Sequence, residues 1–321
     1  SAAIEDTVPE VARAEALGCQ RLSRAELLAL LFNDSGYSIA VGGTSGKSTV
    51  TGMIAWILHE ARHDPTVMNG AVMKNFVTPT NPFASARVGR SPVFVSEVDE
   101  SDGSIALYRP TIGVLLNVSI DHKSIEELRA LFSDFLAASG CAVINLDNKE
   151  AKHLLARTSQ RVTFGMRATS ADITVEPDSI DSSEFGIRAA VIDNNRREVF
   201  PLILPMPGLH NLSNALAAIA ATSAAGIDVG FAVYALRSFK GLARRFDLIG
   251  ISPSDIKVID DFGHNPEKCA ATLRTLKAMP GRVIAFFQPH GYGPLRQMGR
   301  ELAETFAREL EPEDITILCD P

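Results

Sequence analysis

The chain has 321 residues, a formal net charge of −7, and 46% hydrophobic and 21% charged residues. This balance is typical of a globular protein, and the negative charge argues against a nucleic-acid partner. No apolar run is long enough to cross a membrane, so no membrane partner is expected. The four cysteines form no Cys-x-x-Cys pair, which suggests neither a zinc site nor a redox pair and fits a reduced, cytoplasmic compartment.

Strand-like and helix-like segments alternate along most of the chain, which predicts an α/β fold with a mostly parallel sheet. The alternation begins at Tyr37 and is interrupted by a proline-containing stretch after residue 61, which we expect to be rich in loops. Short strands between residues 171 and 204 are expected to form an antiparallel extension. Helices are expected over residues 50–61, 125–138, 211–225 and 230–239.

A second unit is predicted after Arg245, where the alternation restarts. Its expected strands cover residues 257–262, 281–288 and 314–320, and its expected helices cover residues 266–278 and 295–310. We therefore divide the chain into residues 1–36, a central unit of residues 37–245 and a final unit of residues 246–321. Because a doubly wound domain normally continues beyond such a last strand, we expect the final unit to be partial.

A glycine-rich run between a strand and a helix is the most informative motif. Such a loop places backbone N–H groups and the positive end of a helix toward phosphate, with a lysine for the β/γ-phosphates and a hydroxyl for Mg²⁺. The candidate residues are Gly43, Thr44, Ser45, Gly46, Lys47, Ser48 and Thr49. Val41 replaces the first glycine of the longer motif, and an ordinary turn that contains a lysine is the alternative interpretation. The motif predicts binding of ATP or a related triphosphate with Mg²⁺.

Carboxylates follow the next strand and a histidine follows the one after it. Glu97, Asp99, Glu100 and Asp102 are expected at the same sheet edge as the phosphate loop, where they can hold magnesium. His122, after Asp121, can ligate a second metal or position a carboxylate. The alternatives are a solvated acidic turn and a structural histidine.

Polar residues farther along the chain supply further candidates. His210, Asn211 and Asn214 can read a nucleobase, although Asn211 can equally cap a helix. Arg245, next to Arg244 at the boundary between the units, suits the γ-phosphate or is one of a surface basic pair.

The last unit carries two more polar loops, each directly after a predicted strand. One contains Asp261, His264 and Asn265, where Asn265 with Pro266 is also a good helix cap. The other contains His290 and Arg296. Both loops lie where a second sheet would present ligand-binding residues.

Together these runs resemble the Mur ligases, the ATP-dependent amide ligases of peptidoglycan synthesis. The matching runs are GGTSGKST, SEVDESDGS, NVSIDH, PGLHNLSNALAA, GLARRFD, DDFGHNP and FQPHGYGPLR. The pattern is most similar to members that join alanine or a tripeptide to UDP-N-acetylmuramate. The resemblance implies a UDP-sugar domain, of which residues 1–36 match only the end, a central ATP-binding domain and a Rossmann-like C-terminal domain.

The resemblance also implies roles for individual residues. Lys47, His122 and Arg245 would be catalytic, and Ser48, Glu97 and His122 would support the metals. His210, Asn211, Asn214 and Asp261 would contact the adenosine, while His264, His290 and Arg296 would lie at the substrate. The implied partners are UDP-N-acetylmuramate and an amino acid or peptide.

The chain departs from the family pattern near the expected amine site. The run after His290 lacks the two arginines that the alanine-adding members carry, and Ser45 stands where a histidine is usual. The amino substrate is therefore left open. A nucleotide-binding relative with a changed or lost substrate, or another phosphate-loop NTPase or kinase, is the alternative.

Overall fold

The computed structural model describes residues 7–119, 123–289 and 291–320. The α-helices of these residues are α1 (Pro9–Ala16), α2 (Arg24–Asn33), α3 (Lys47–Glu60), α4 (Ile125–Ala137), α5 (Lys149–His153), α6 (Leu209–Ala224), α7 (Val229–Ala235), α8 (Pro266–Lys277) and α9 (Tyr292–Glu309). The first strands are β1 (Tyr37–Gly42), β2 (Thr66–Met68), β3 (Ala86–Arg87), β4 (Val93–Glu97), β5 (Ile112–Leu115), β6 (Cys141–Asn145), β7 (Arg161–Phe164) and β8 (Ile173–Val175). The remaining strands are β9 (Asp181–Ser183), β10 (Gly186–Asp193), β11 (Glu198–Leu204), β12 (Asp247–Ile251), β13 (Lys257–Asp260), β14 (Ile284–Phe287) and β15 (Ile315–Leu318).

A large sheet organises the central unit. Its strand order is β11-β10-β8-β7-β6-β5-β1-β4-β2-β3, and β9 pairs with β10. The pairs from β2 through β4, β1, β5, β6 and β7 to β8 are parallel, whereas β10 pairs antiparallel with β8 and β11. The predicted mostly parallel sheet and its antiparallel extension are therefore confirmed. The stretch after residue 61 contains β2 and β3, so it is less irregular than predicted.

Helices cover both faces of this sheet because its central strands are apolar on both sides. In β1, Ile39 and Val41 join the buried cluster that includes α3, α6 and α7. The intervening Ala40 joins the cluster on the other face with α4. The alternation of side chains along one strand thus holds the two helical layers on opposite faces.

The helix α2 packs against the central unit. Ser23 and Glu26 form a reciprocal capping box at its start. Phe32 is fully buried, with its ring centroid 5.4 Å from that of Phe94 and 5.1 Å from that of Tyr108. Burial of this ring joins the end of the helix to the sheet.

The final unit contains two small strand pairs. Strands β12 and β13 are antiparallel, and β14 and β15 are parallel. Asn265 caps α8, its side-chain oxygen accepting a hydrogen bond from the Lys268 backbone N–H at 2.9 Å, as predicted. The prediction missed β12, whose register shifts between Leu248 and Gly250 and so breaks the alternating pattern.

Two polar contacts join the central and final units. Lys74 forms an ion pair with the buried Asp247 at 2.6 Å. The Ser119 hydroxyl donates to the Glu267 carboxylate at 2.9 Å. Across the described ranges, no helix is both long and apolar enough to span a bilayer.

Candidate active site

The phosphate loop joins β1 to α3. The helix begins at Lys47, and Gly46 immediately before it has a φ of 90°, in the left-handed region that favours glycine. A Cβ on Gly46 would also lie 2.6 Å from Asn214 Oδ1. The backbone turn therefore favours glycine, and a larger residue would also have to displace the end of the Asn214 side chain from α6. The first N–H groups of α3 have no acceptor within the helix, which makes the turn suitable for phosphate.

A side chain from the loop after β5 holds the phosphate loop in shape. Asn117 Oδ1 accepts a hydrogen bond from the Ser45 backbone N–H at 2.8 Å, and its Nδ2 donates to the Ser45 carbonyl at 2.9 Å. The Thr44 hydroxyl donates to the Ser119 carbonyl at 3.1 Å. Sequence analysis assigned no role to Asn117, although it lies in one of the quoted runs.

The carboxylates at the end of β4 and in the loop that follows divide into two groups. Glu97 accepts a hydrogen bond from the Ser48 hydroxyl at 2.7 Å, and Glu100 forms an ion pair with Lys47 at 2.5 Å. Asp99 and Asp102 instead accept backbone N–H bonds in their own loop. The predicted meeting of this acidic loop with the phosphate loop is thus seen for two of the four carboxylates.

The environment of Asp99 stabilises its charged form. Burial raises the pKa of Asp99, but hydrogen bonds from Ser101 and the positive charge of Lys47 outweigh that effect. The net result is a pKa below the ordinary aspartate value, so Asp99 adds a negative charge to the wall of the cleft.

Arg245 lies at the connection between the two units and points toward the phosphate loop. Its Nη2 atom is 3.3 Å from the Ser48 hydroxyl, and its guanidinium carbon is 5.0 Å from the centre of the Phe262 ring. Burial lowers the pKa of Arg245, and the carboxylates of Glu97 and Asp261 oppose this effect. The neighbours Arg244 and Phe246 have φ angles of 61° and 49°, so the backbone on each side is in a left-handed conformation.

Two adjoining cavities share the phosphate loop and Arg245. The first, of about 220 Å³, is lined by the phosphate loop, the acidic loop, Arg245, His264 and Lys268. The second, of about 300 Å³, is lined by residues of α6, the Arg245 segment and the loop that contains Asp261. The two units therefore enclose one continuous cleft.

The predicted adenosine residues line the second cavity. Asn211 donates to the Pro207 carbonyl at 2.7 Å, and Asn214 donates to the Asn211 side-chain oxygen at 3.3 Å. The capping alternative for Asn211 is wrong, because α6 begins at Leu209 after Gly208. His210 also lines this cavity, and desolvation lowers its pKa while Asp261 opposes that effect.

Asp261 lies in a loop fixed by its own hydrogen bonds. Its carboxylate accepts bonds from the Phe246 and Gly263 backbone N–H groups and from the Thr272 hydroxyl. His264 and Lys268 have their Nε2 and Nζ atoms 3.4 Å apart beside the phosphate loop. Sequence analysis did not single out Lys268, which lies in the first turn of α8 and lines the first cavity together with His264.

The remaining predicted site residues are His122, His290 and Arg296. His122 and His290 lie outside the described residues, as does Asp121. Arg296 is exposed on α9 and lines neither cavity. Its role at the substrate stays a prediction. Among the residues that the structure describes, no group of three or more His, Cys, Asp or Glu side chains is arranged to hold a metal.

The fold and the cleft define a nucleotide-binding protein built around a phosphate loop. Family models described as "Mur ligase middle domain" and "Mur ligase, glutamate ligase domain" match residues 41–222 and 244–321. The chain therefore belongs to the Mur ligase family, which confirms the resemblance.

Relatives of known name support this membership. The chain is 35% identical to a UDP-N-acetylmuramate–L-alanine ligase of Desulforamulus reducens and 36% identical to one of Trichormus variabilis. All of the chain is aligned in both cases, and it spans 68% and 64% of those proteins, about two thirds of their length.

Solved structures show the same fold. A UDP-N-acetylmuramate-alanine ligase from Thermotoga maritima has a TM-score of 0.80 at 27% identity, covering 99% of this chain and 75% of that one. A murein peptide ligase from Psychrobacter arcticus has a TM-score of 0.73 at 25% identity, covering 99% of this chain and 76% of that one. The expected α/β class with a central and a C-terminal unit is thus confirmed.

Proposed function

We propose that this protein uses ATP to join an amino acid or peptide to UDP-N-acetylmuramate, releasing ADP and phosphate in the cytoplasmic synthesis of peptidoglycan. The observation that carries the proposal is the convergence of Lys47, Ser48 and Arg245 on one cleft between the two units. The names of the relatives supply the substrate class. An amide does not form readily from a free carboxylate, so the carboxylate must first be activated. A cleft that binds ATP can supply the phosphoryl group for this activation.

ATP would lie along both cavities. Its phosphates would accept hydrogen bonds from the N–H groups at the start of α3, with Lys47 and Arg245 neutralising charge on the terminal group. Its adenosine would face His210, Asn211 and Asn214 in the second cavity. We propose Asp261 for the ribose, since its loop lines the same cavity.

The residues beside the phosphate loop fit a magnesium ion. The Ser48 hydroxyl and a Glu97 oxygen lie 2.7 Å apart, and both are oxygen donors of the kind that Mg²⁺ prefers. Gly70 makes room for this carboxylate, because a Cβ there would collide with Glu97 Oε1. When bound, Mg²⁺ would neutralise charge on the transferring phosphoryl group. His122 is proposed as a further metal ligand on the family pattern alone.

The reaction then needs two substitutions. A carboxylate oxygen of the sugar substrate attacks the γ-phosphorus of ATP, and the bond between this phosphorus and the β-phosphate oxygen breaks. ADP departs, and the sugar substrate becomes an acyl phosphate. The amine nitrogen attacks the acyl carbon, loses a proton, and the carbon–oxygen bond to phosphate breaks. Lys47 and Arg245 stabilise the developing charge, so orientation and electrostatics supply most of the rate.

The amine site is proposed on the side of the C-terminal unit. His264 lines the first cavity, where it is close enough to the phosphate loop to contact an arriving substrate. His290 and Arg296 are proposed for the same substrate from the family pattern. The absence of the two usual arginines after His290 leaves the choice between an amino acid and a peptide to experiment.

A screen of amino acids and peptides tests the proposal. The full-length protein is incubated with ATP, Mg²⁺, UDP-N-acetylmuramate and each amine, and ADP, phosphate and the amide product are measured. We expect equal amounts of all three, only with both substrates present. A phosphorylated sugar nucleotide without free phosphate would identify a kinase, and ATP binding without any amide product would identify a relative with a lost or changed substrate.

The phosphate-loop assignment is tested separately with Lys47. Lys47→Ala should abolish ATP turnover. Lys47→Gln should do the same, and its amide supplies a hydrogen-bond donor near Glu100, which guards against misfolding caused by an unpaired buried carboxylate. The exposed Lys152 on α5 supplies the control Lys152→Ala. Unchanged turnover in both Lys47 variants would contradict the assignment.

A further inference from the structure

The cation of the phosphate loop is already paired in this structure. Lys47 Nζ lies 2.5 Å from Glu100 Oε2, and the two side chains are only 19% and 7% exposed. A charge pair with so little solvent around it is weakly screened. A phosphate that recruits Lys47 must therefore replace a strong partner.

The loop hydroxyl is engaged in a similar way. Ser48 donates to Glu97 at 2.7 Å, so the hydroxyl of the loop faces a carboxylate at the end of β4, and the ammonium faces Glu100 in the segment that follows. Asp99 adds a third negative charge to the same cavity wall. An unaccompanied triphosphate would meet repulsion at this wall, whereas a triphosphate bound to a divalent cation would bring compensating charge.

We propose that Glu100 is a positioning residue that holds Lys47 in the nucleotide-free protein and makes the loop select metal-bound over metal-free nucleotide. Glu100 occupies the place of a phosphate oxygen beside Lys47. It releases the ammonium when a metal-bound triphosphate supplies both a replacement anion and positive charge for the carboxylates. This inference rests on the proposed function, because it requires that ATP binds at the phosphate loop.

The contact itself favours this role over a purely structural one. A buried carboxylate that serves only stability could pair with any cation. Glu100 instead pairs with the lysine expected to reach phosphate, and it does so from the loop after β4, whereas Lys47 follows β1. Glu97 is the carboxylate next to the Ser48 hydroxyl, which leaves Glu100 to act on Lys47.

The experiment measures the dissociation constant of ATP by calorimetry, once with excess EDTA and once with saturating Mg²⁺. Glu100→Gln keeps the side-chain shape but removes the charge, and we expect it to tighten metal-free ATP binding about tenfold. Binding of Mg·ATP should change by less than about threefold, so the preference for the metal-bound form falls. Glu100→Asp keeps the charge and should retain most of that preference.

Asp102→Asn is the matched control. Asp102 belongs to the same loop but is exposed, and its carboxylate accepts a bond from the Ser104 backbone N–H at 2.8 Å. Both dissociation constants should be unchanged in this variant. Thermal unfolding of each variant confirms that the fold is retained.

The outcomes separate the two proposals. Unchanged metal-free binding in Glu100→Gln overturns the role of Glu100. Weaker Mg·ATP binding with unchanged metal-free binding also overturns it and identifies Glu100 as a metal ligand instead. If the unaltered protein binds ATP under neither condition, the proposed function itself fails.

Discussion

Ser45 and Asn117 exchange two hydrogen bonds, from the Ser45 N–H to Oδ1 at 2.8 Å and from Nδ2 to the Ser45 carbonyl at 2.9 Å. The Asn117 side chain thus satisfies the backbone N–H and carbonyl of Ser45, as a neighbouring strand would do. The phosphate loop keeps its shape through a contact from the loop after β5 as well as through its own sequence.

Asn117→Ala should therefore loosen the loop. Loss of these bonds should lower the free energy of unfolding by about 1–3 kcal/mol and weaken ATP binding, because the loop would sample other conformations. Urea unfolding and calorimetry measure the two effects. Asn195→Ala, in the exposed turn between β10 and β11, is the control. Equal ATP affinity in the two variants would argue against a role of Asn117 in shaping the loop.

The close approach of Gly46 and Asn214 gives a second prediction. A left-handed backbone alone costs a non-glycine residue about 1–2 kcal/mol. Gly46→Ala should lower the free energy of unfolding by more than this, because the new Cβ would also lie 2.6 Å from Asn214 Oδ1. Gly226→Ala is a matched control, with a φ of 86° and open space around the Cβ position. Equal losses in urea unfolding would show that the contact with Asn214 is unimportant.

Removal of the Glu97 carboxylate should change the magnesium requirement. Glu97→Ala deletes one of the two proposed oxygen ligands of Mg²⁺, so the Mg²⁺ concentration for half-maximal ATP turnover should rise about tenfold or more. The measurement is a magnesium titration at saturating ATP, with Glu60→Ala at the exposed end of α3 as the control. A superimposable titration for Glu97→Ala would remove this residue from the metal site.

The final unit should be destabilised by acid through Asp314. Its pKa is lowered to about 2 from 3.8 by bonds from the Glu311 backbone, from Lys277 and from the Val283 backbone. Because the folded-state pKa is depressed, this stabilisation is complete above pH 3.8 and is lost as the pH falls toward 2.

Urea unfolding at pH 6 and pH 3 measures this effect. Asp314→Asn should unfold more easily than the unaltered protein at pH 6, and the difference should shrink at pH 3. The neighbouring exposed Glu313→Gln should behave as the unaltered protein at both values. A difference for Asp314→Asn that is the same at both pH values would refute the proposed linkage.

The local parts of the site could be predicted from sequence because they are encoded in short segments. Gly46 and Lys47 lie at the junction of a strand and a helix, and that order predicts a phosphate loop. The expectation that Glu97 lies at the same sheet edge also follows from a general property of parallel sheets. These inferences needed no knowledge of which strands are neighbours.

The partners of these residues depend on strand register, which the sequence did not provide. Gly42 pairs with Leu115, so Asn117 falls beside the phosphate loop, and Val41 pairs with Glu97, so Glu100 reaches Lys47. A shift of register would alter both contacts. Arg296 illustrates the same limit, since only the packing of α9 decides which of its side chains are exposed.

Arg245 lies where the chain passes from the central unit to the final unit, and this position has a geometric consequence. In a rigid rotation, displacement grows with distance from the axis, so atoms near the pivot move least. If the final unit swings about residues 244–246, Arg245 stays beside Ser48 while His264 and Lys268, farther along the unit, travel away from the phosphate loop. One arginine at the pivot could then hold a nucleotide while the remainder of the cleft opens to admit or release the other substrates.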